Sequence, residues 1–171
     1  MFLSIKEMEV RKVRFDQTLP PGKIDFIDAG VKQAGPLRVT GEAELLDITD
    51  EIRIKGNLAV VMEAECDRCL GQAIFPIDAP FDLFYQPMAE IAVEEEVAIN
   101  PGEAEIGFYE GDGLELEDIL REQVLLMLPM QRTCRTECKG ICPVCGRNRN
   151  EVSCECRTHP GDDRWAALRN L

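Results

Sequence analysis

A single histidine, His159, stands among 171 residues, so the commonest general base and the commonest neutral metal ligand are all but missing. His159 directly precedes Pro160 in a loop-forming stretch, where a surface position is favoured over ligation or proton transfer. Also missing are a phosphate-cradling P-loop, a dinucleotide-type glycine pattern, a serine nucleophile elbow and an HExxH motif. Carboxylates are abundant, yet nothing in their spacing pairs two of them in a cleft. These absences argue against an enzyme and against a small-molecule substrate.

Long apolar runs are lacking too. The start, MFLSIKEMEVRKV, carries charge from Lys6 onward and has no small-residue cleavage site. Neither a signal peptide nor a membrane span is expected, which points to the reducing cytosol. There, paired thiols are metal ligands before they are disulfides. Positive charge is scarce: the net charge is −13. Residues 1–130 hold 11 Lys and Arg against 27 Asp and Glu, whereas residues 131–171 hold 8 against 5. The long acidic part repels phosphates, and only the tail, through Lys139, Arg147, Arg149 and Arg157, has local positive clusters. Four thiolates around Zn²⁺ carry −2, so two such sites turn the tail's surplus into about −1. A dominant RNA-binding face is therefore absent from the charge pattern.

Cysteine is absent from the first 65 residues and then abundant. Cys66 and Cys69 form a Cys-x2-Cys in ECDRCLG, and six more crowd into CRTECKGICPVCGRNRNEVSCEC as Cys134-x3-Cys138, Cys142-x2-Cys145 and Cys154-x-Cys156. Close thiol pairs with Gly and Pro between them suit tetrahedral zinc, because two sulfurs that near in sequence reach one ion across a tight turn. Eight thiols in four pairs make two structural four-cysteine sites. One grouping joins Cys142, Cys145, Cys154 and Cys156, leaving Cys66 and Cys69 with Cys134 and Cys138. The rival joins Cys134, Cys138, Cys142 and Cys145, leaving Cys66 and Cys69 with Cys154 and Cys156. Loop entropy does not separate them; the first is favoured because three residues between Cys138 and Cys142 leave little slack for wrapping two pairs around one ion. A redox dithiol at Cys66 and Cys69 lacks the strand-to-helix setting of thioredoxin-like sites.

Two divisions are expected: a body over 1–130 carrying the hairpin thiol pair, and a zinc-binding tail over 131–171. FLSIKEMEVRKVRFDQTL reads as an early strand region through Ile5, Met8, Val10, Val13 and Phe15. KIDFIDAGVKQAG reads as irregular. Alternation is clearest over Leu37, Val39, Ala43 and Leu45 and over Ile52, Ile54, Leu58, Val60 and Met62, with turns or bulges at Asp47–Glu51 and Gly56-Asn57. Phe75, Ile77, Phe81, Leu83 and Tyr85 alternate in a further strand, which Pro76 and Pro80 make an edge or bulged one. Cys66–Gly71 is then a hairpin holding its thiols exposed at a sheet end. The acidic stretch around Glu94, Glu95 and Glu96 reads as a solvated loop, and Ile106, Phe108 and Tyr109 as a short strand. The one main helix is LELEDILREQVLLMLP, with Asp112 as N-cap, a Glu117–Arg121 pair, an apolar face through Leu116, Ile119, Leu120, Val124, Met127 and Leu128, and Pro129 as its stop. A short terminal helix begins near Gly161-Asp162 and presents Trp165, Leu168 and Leu171 on one face. The fold class is α+β: a curved antiparallel sheet, barrel-like in the limit, with one main helix and a zinc-knuckle tail.

ECDRCLG, the acidic run into DGLELEDILREQVLLMLP, the cysteine-rich block and DDRWAALRNL, in that order, resemble the YceD family, the large ribosomal RNA subunit accumulation proteins. The resemblance covers about the last two-thirds of the chain, and CPVCG with CEC matches the family's zinc-bearing branch. Other members lack part of this tail, so the resemblance implies that the cysteines after Leu128 are not essential to a shared family function. The resemblance implies a cytoplasmic bacterial or plastid protein, without established catalysis, that supports accumulation or maturation of large-subunit (23S-type) ribosomal RNA. An acidic body of that role would bind a basic ribosomal protein or a pre-ribosomal particle, with the tail touching rRNA. An rRNA-processing enzyme and a redox- or zinc-responsive module are the alternatives.

Overall fold

The computed structural model describes residues 1–27, 30–46, 50–88 and 106–156. Two compact units emerge: Met1–Ala64 with Ile74–Met130, and Glu65–Ala73 with the chain from Gln131 onward. The first holds the strands and helices around one apolar core; the second holds all eight cysteines.

Strict alternation builds the main sheet. In β2 (Val13–Leu19), β4 (Leu37–Leu46), β5 (Glu51–Glu65) and β6 (Gln72–Pro87), every second residue turns inward. The inward set includes Val13, Phe15, Leu37, Val39, Ile52, Ile54, Leu58, Met62 and Phe81. Six strands take part, in the order β2-β4-β5-β6-β7, with β3 (Val31–Gln33) also paired to β5. β7 is Ile106–Tyr109. Among the described residues β2 and β7 end the path, so the sheet is open and does not close into a barrel. The strand that follows the start of the chain, β1 (Phe2–Ser4), pairs instead with β8 (Gly113–Glu115) in a separate two-stranded sheet. One pair breaks the antiparallel rule: β6 and β7 run parallel, Phe84 opposite Ile106 through Pro87 opposite Tyr109. Pro76 and Pro80 lie before that stretch, where β6 has no β7 beside it, so their missing N–H groups cost the ladder nothing there.

Gly56 is no turn. It sits inside the fifteen-residue β5 with Gly41 of β4 directly opposite, and Phe15 is opposite Gly41 on β2. A Cβ on Gly41 would stand 2.4 Å from the Lys55 carbonyl and 2.6 Å from the Phe15 ring; one on Gly56 would stand 2.3 Å from the Thr40 carbonyl and 2.9 Å from the Phe81 ring. Two phenylalanines thus fold over a glycine pair, filling from neighbouring strands the volume the glycines leave. Tyr85 covers Gly107 in the same way.

Local expectation fails in three further places. Ile5 and Met8 belong to a one-turn helix, α1 (Ile5–Met8), and Val10 is exposed. The stretch read as irregular contributes β3 and buries Ile24 and Phe26. The main helix, α2 (Leu116–Met127), is preceded by β8, so Glu115 takes the N-cap position and Asp112 does not cap it. Its expected Glu117–Arg121 pair is replaced: Glu117 accepts from the Met1 amine, and Arg121 meets Asp118 at 2.7 Å. Leu116, Ile119, Leu120 and Val124 are buried, with Met127 and Leu128 packed against the same core. The backbone turns extended at Leu128, as a residue before proline should. The acidic stretch at Glu94–Glu96, His159, Arg157 and the terminal helix lie outside the described residues.

Candidate metal centres

The eight thiols gather into two tetrads, and all members of each lie within 4.8 Å of one another. Cys66, Cys69, Cys134 and Cys138 form the inner tetrad; Cys142, Cys145, Cys154 and Cys156 form the outer one. This is the compact grouping, and the rival is not the one brought together. In the inner tetrad Cys66 Sγ stands 3.8 Å from Cys138 Sγ, and Cys69 Sγ 3.7 Å from Cys134 Sγ. Zn–S bonds of about 2.3 Å in a tetrahedron set the sulfurs about 3.8 Å apart. A disulfide would need about 2.05 Å, and all eight cysteines are free.

One local fold presents both Cys-x2-Cys pairs. At the hairpin between β5 and β6, the Cys66 amide donates to Gly71 O (2.7 Å) and the Leu70 amide to Cys66 O (2.9 Å). At the second, the Cys142 amide donates to Arg147 O (2.8 Å) and the Gly146 amide to Cys142 O (2.8 Å). The residue after the second cysteine is left-handed in each: Gly146 at φ 70 and Leu70 at φ 60. Glycine meets that demand freely, while leucine pays about 1 kcal/mol. The turn frees backbone N–H groups to point at sulfur, which is how a short loop stabilises a thiolate.

The charge on sulfur follows from those donors. Burial pushes Cys66 up, but amides of Cys134, Cys69 and Arg68 outweigh it and bring the thiol down to about 6; the Cys134 amide is 3.3 Å from the sulfur. Amides of Cys145 and Val144 bring Cys142 down to about 6 as well. Burial and three neighbouring thiols push Cys134 up to about 12, and Cys145, with burial, does the same to Cys156. Four thiols this close cannot all carry charge by themselves. A divalent cation at the centre removes the conflict, all four ionise, and protons are released. Donor set, spacing and amide pattern fit tetrahedral zinc, and four thiolates around such an ion would leave no open position for a substrate.

Burial distinguishes the tetrads. Cys66, Cys69 and Cys138 are at most 6% exposed, whereas Cys145 and Cys156 are exposed. The first thiol pair is thus buried, contrary to the exposed position expected of a hairpin tip, because the chain after Gln131 folds over it. The Asp67 amide donates to Arg132 O (2.8 Å), the Arg132 amide to an Asp67 carboxylate oxygen (2.6 Å), and the Ile141 amide to Arg68 O (2.9 Å). Sequence reasoning missed Asn150. Its Nδ2 donates to Cys138 Sγ (3.3 Å) while its Oδ1 accepts from the Lys139 amide (2.9 Å). Only its place between the thiol pairs hinted at this. The cations of the tail, Lys139, Arg147 and Arg149, are exposed.

Residues 54–171 match the family described as Large ribosomal RNA subunit accumulation protein YceD. YlbN of Bacillus subtilis is 25% identical over 98% of this chain and 92% of its own length. Large ribosomal RNA subunit accumulation protein YCED homolog 1, chloroplastic, of Arabidopsis thaliana is 26% identical over 71% of this chain and 44% of its own. Rv2926c of Mycobacterium tuberculosis is 28% identical over 71% of this chain and 56% of its own, so the chain spans about half the length of these last two. No solved structure matches it.

Proposed function

Since the chain belongs to the YceD family of large ribosomal RNA subunit accumulation proteins, we propose that it is a non-enzymatic, zinc-binding factor of ribosome biogenesis. It supports accumulation or maturation of 23S-type rRNA in the cytoplasm. The observation that carries this reading is that the matched stretch contains both thiol tetrads whole. Two structural four-cysteine zinc sites, one on Cys66, Cys69, Cys134 and Cys138 and one on Cys142, Cys145, Cys154 and Cys156, hold the second unit in shape. The first 130 residues, at net −16, repel naked RNA and attract a basic ribosomal protein or a pre-ribosomal particle displaying one. Such a body would mask a ribosomal protein's cations until its rRNA site is ready.

The test is depletion of the protein in its native host, with large- and small-subunit rRNA measured separately. Large-subunit rRNA should fall selectively and recover with the wild-type gene. An unchanged ratio of the two rRNAs on complete depletion would remove the basis of the proposal. Hydrolysis of precursor rRNA by the pure protein, abolished by replacing one carboxylate, would establish a processing enzyme instead.

A further inference from the structure

On the first unit, two adjoining cavities of about 510 and 390 Å³ open beside β7 and α2 and share Tyr85 and Glu122 as walls. Three large apolar side chains line them while remaining open to solvent: Phe2 at 47%, Phe108 at 45% and Leu126 at 70%. The helical wall is a stripe at four-residue spacing, Asp118, Glu122 and Leu126, facing away from the buried Leu116, Ile119, Leu120 and Val124. Glu110 stands at the strand end of the groove. Among the described residues the one cation lining it, Arg121, is engaged by Asp118 at 2.7 Å. Glu110 and Glu122 make no ion pair among the described residues.

We propose that this groove is a docking site for a Lys/Arg-rich protein segment carrying an apolar anchor. The anchor would sit against Phe108 and Leu126, and the cations would reach Glu110 and Glu122. Exposed aromatic and aliphatic groups cluster at binding surfaces, and a rim of one sign selects a partner of the other. A second copy of this chain is disfavoured, because two surfaces of the same acidic protein repel; a phosphate backbone is disfavoured for the same reason.

The site deepens the proposed function and rests on it for the partner class, a basic ribosomal protein, but its test does not depend on rRNA levels. The full chain is titrated into a fluorescein-labelled peptide of four Lys-Lys-Leu repeats, followed by anisotropy. Saturable binding is expected. Glu110→Lys with Glu122→Lys should weaken it about tenfold or more, and Phe108→Ser with Leu126→Ser about fivefold or more. Glu9→Lys with Asp16→Lys, the same charge change elsewhere on the unit, should cost less than about threefold. All six positions changed, in the groove and on the control surface, are exposed, and urea midpoints check that each variant folds.

No saturable binding overturns the inference, as do equal losses from the two charge pairs or indifference to Phe108→Ser with Leu126→Ser. Self-association abolished by Leu126→Ser would assign the groove to a second copy and overturn it as well. Each of these failures leaves the depletion experiment untouched, so the groove and the rRNA role fall separately.

Discussion

Paired cysteine substitutions can decide which thiols share a metal. Cys66 and Cys138 lie in one tetrad, 3.8 Å apart, so Cys66→Ser with Cys138→Ser strips half the ligands from the inner site and none from the outer. Cys138→Ser with Cys142→Ser takes one ligand from each tetrad. A structural four-ligand zinc site is worth about 10–16 kcal/mol, and two thiolates hold about half of that, a dissociation constant of roughly micromolar or weaker that a chelating column removes. Three thiolates bind correspondingly less tightly than four, so chelator strength is set to strip them while sparing the intact wild-type sites. Elemental analysis should then find about two zinc per chain for the wild type, one for the first double variant and none for the second. Cys66→Ser with Cys69→Ser is the common reference, leaving one under either grouping. The reverse order, none for Cys66/Cys138 and one for Cys138/Cys142, would refute the grouping and with it the knuckle geometry. The core of the first unit contains no cysteine, so β-sheet circular dichroism should survive in all variants.

Four further outcomes follow from the described contacts. Asn150→Ala removes the amide donor to Cys138 Sγ and should speed zinc loss from the inner site about tenfold, read by a chromogenic chelator, because outer partners of metal ligands are worth 10–100-fold. In the wild type the same chelator, or dilute peroxide, should take the outer zinc first, since Cys145 and Cys156 are exposed; a single phase, or inner loss first, would contradict this. Gly56→Ala drives a methyl into the Thr40 carbonyl and should cost about 2–3 kcal/mol by urea denaturation, whereas Gly35→Ala, with open space around its Cβ, should fall within about 0.5 kcal/mol of neutral. The Glu117 carboxyl is held low by the Met1 amine, so its stabilisation is present above the unfolded value near 4.3 and lost as pH falls through the folded one. Glu117→Gln should therefore cost up to about 1 kcal/mol near neutral pH, and the difference should vanish once both values lie above the pH.

How much could be read beforehand depended on whether the signal was local. Cysteine spacing is local chemistry, and it identified all eight members of the tetrads. Alternation is local too, so β4, β5 and β6 were recognisable from Val39, Ile54 or Phe81. Gly56 misled because glycine beside asparagine is a turn signal, and only the rings of Phe15 and Phe81, from other strands, explain why the backbone runs straight on. The separate β1–β8 pair and the parallel β6–β7 pair join residues distant in sequence, as does the Met1–Glu117 contact. No periodicity encodes such partners. Asn150 was hidden for another reason: an asparagine among cysteines is ordinarily a turn residue, and its donation to sulfur depends on where Cys138 sits.

The two tetrads also differ in how much chain each must enclose. The outer site closes within a fifteen-residue stretch, Cys142 to Cys156, whereas the inner one joins Cys69 to Cys134 across 65 positions that include β6, β7, β8 and α2. Bringing those ends together from an unfolded chain costs about 2 kcal/mol more than closing the loop of eight residues between Cys145 and Cys154. During synthesis the hairpin pair Cys66 and Cys69 emerges long before its partners and cannot complete a tetrahedron until α2 has been made. A four-thiolate ion held there would therefore date to after the main helix and the last strands had left the ribosome, whereas an outer ion needs only the tail itself.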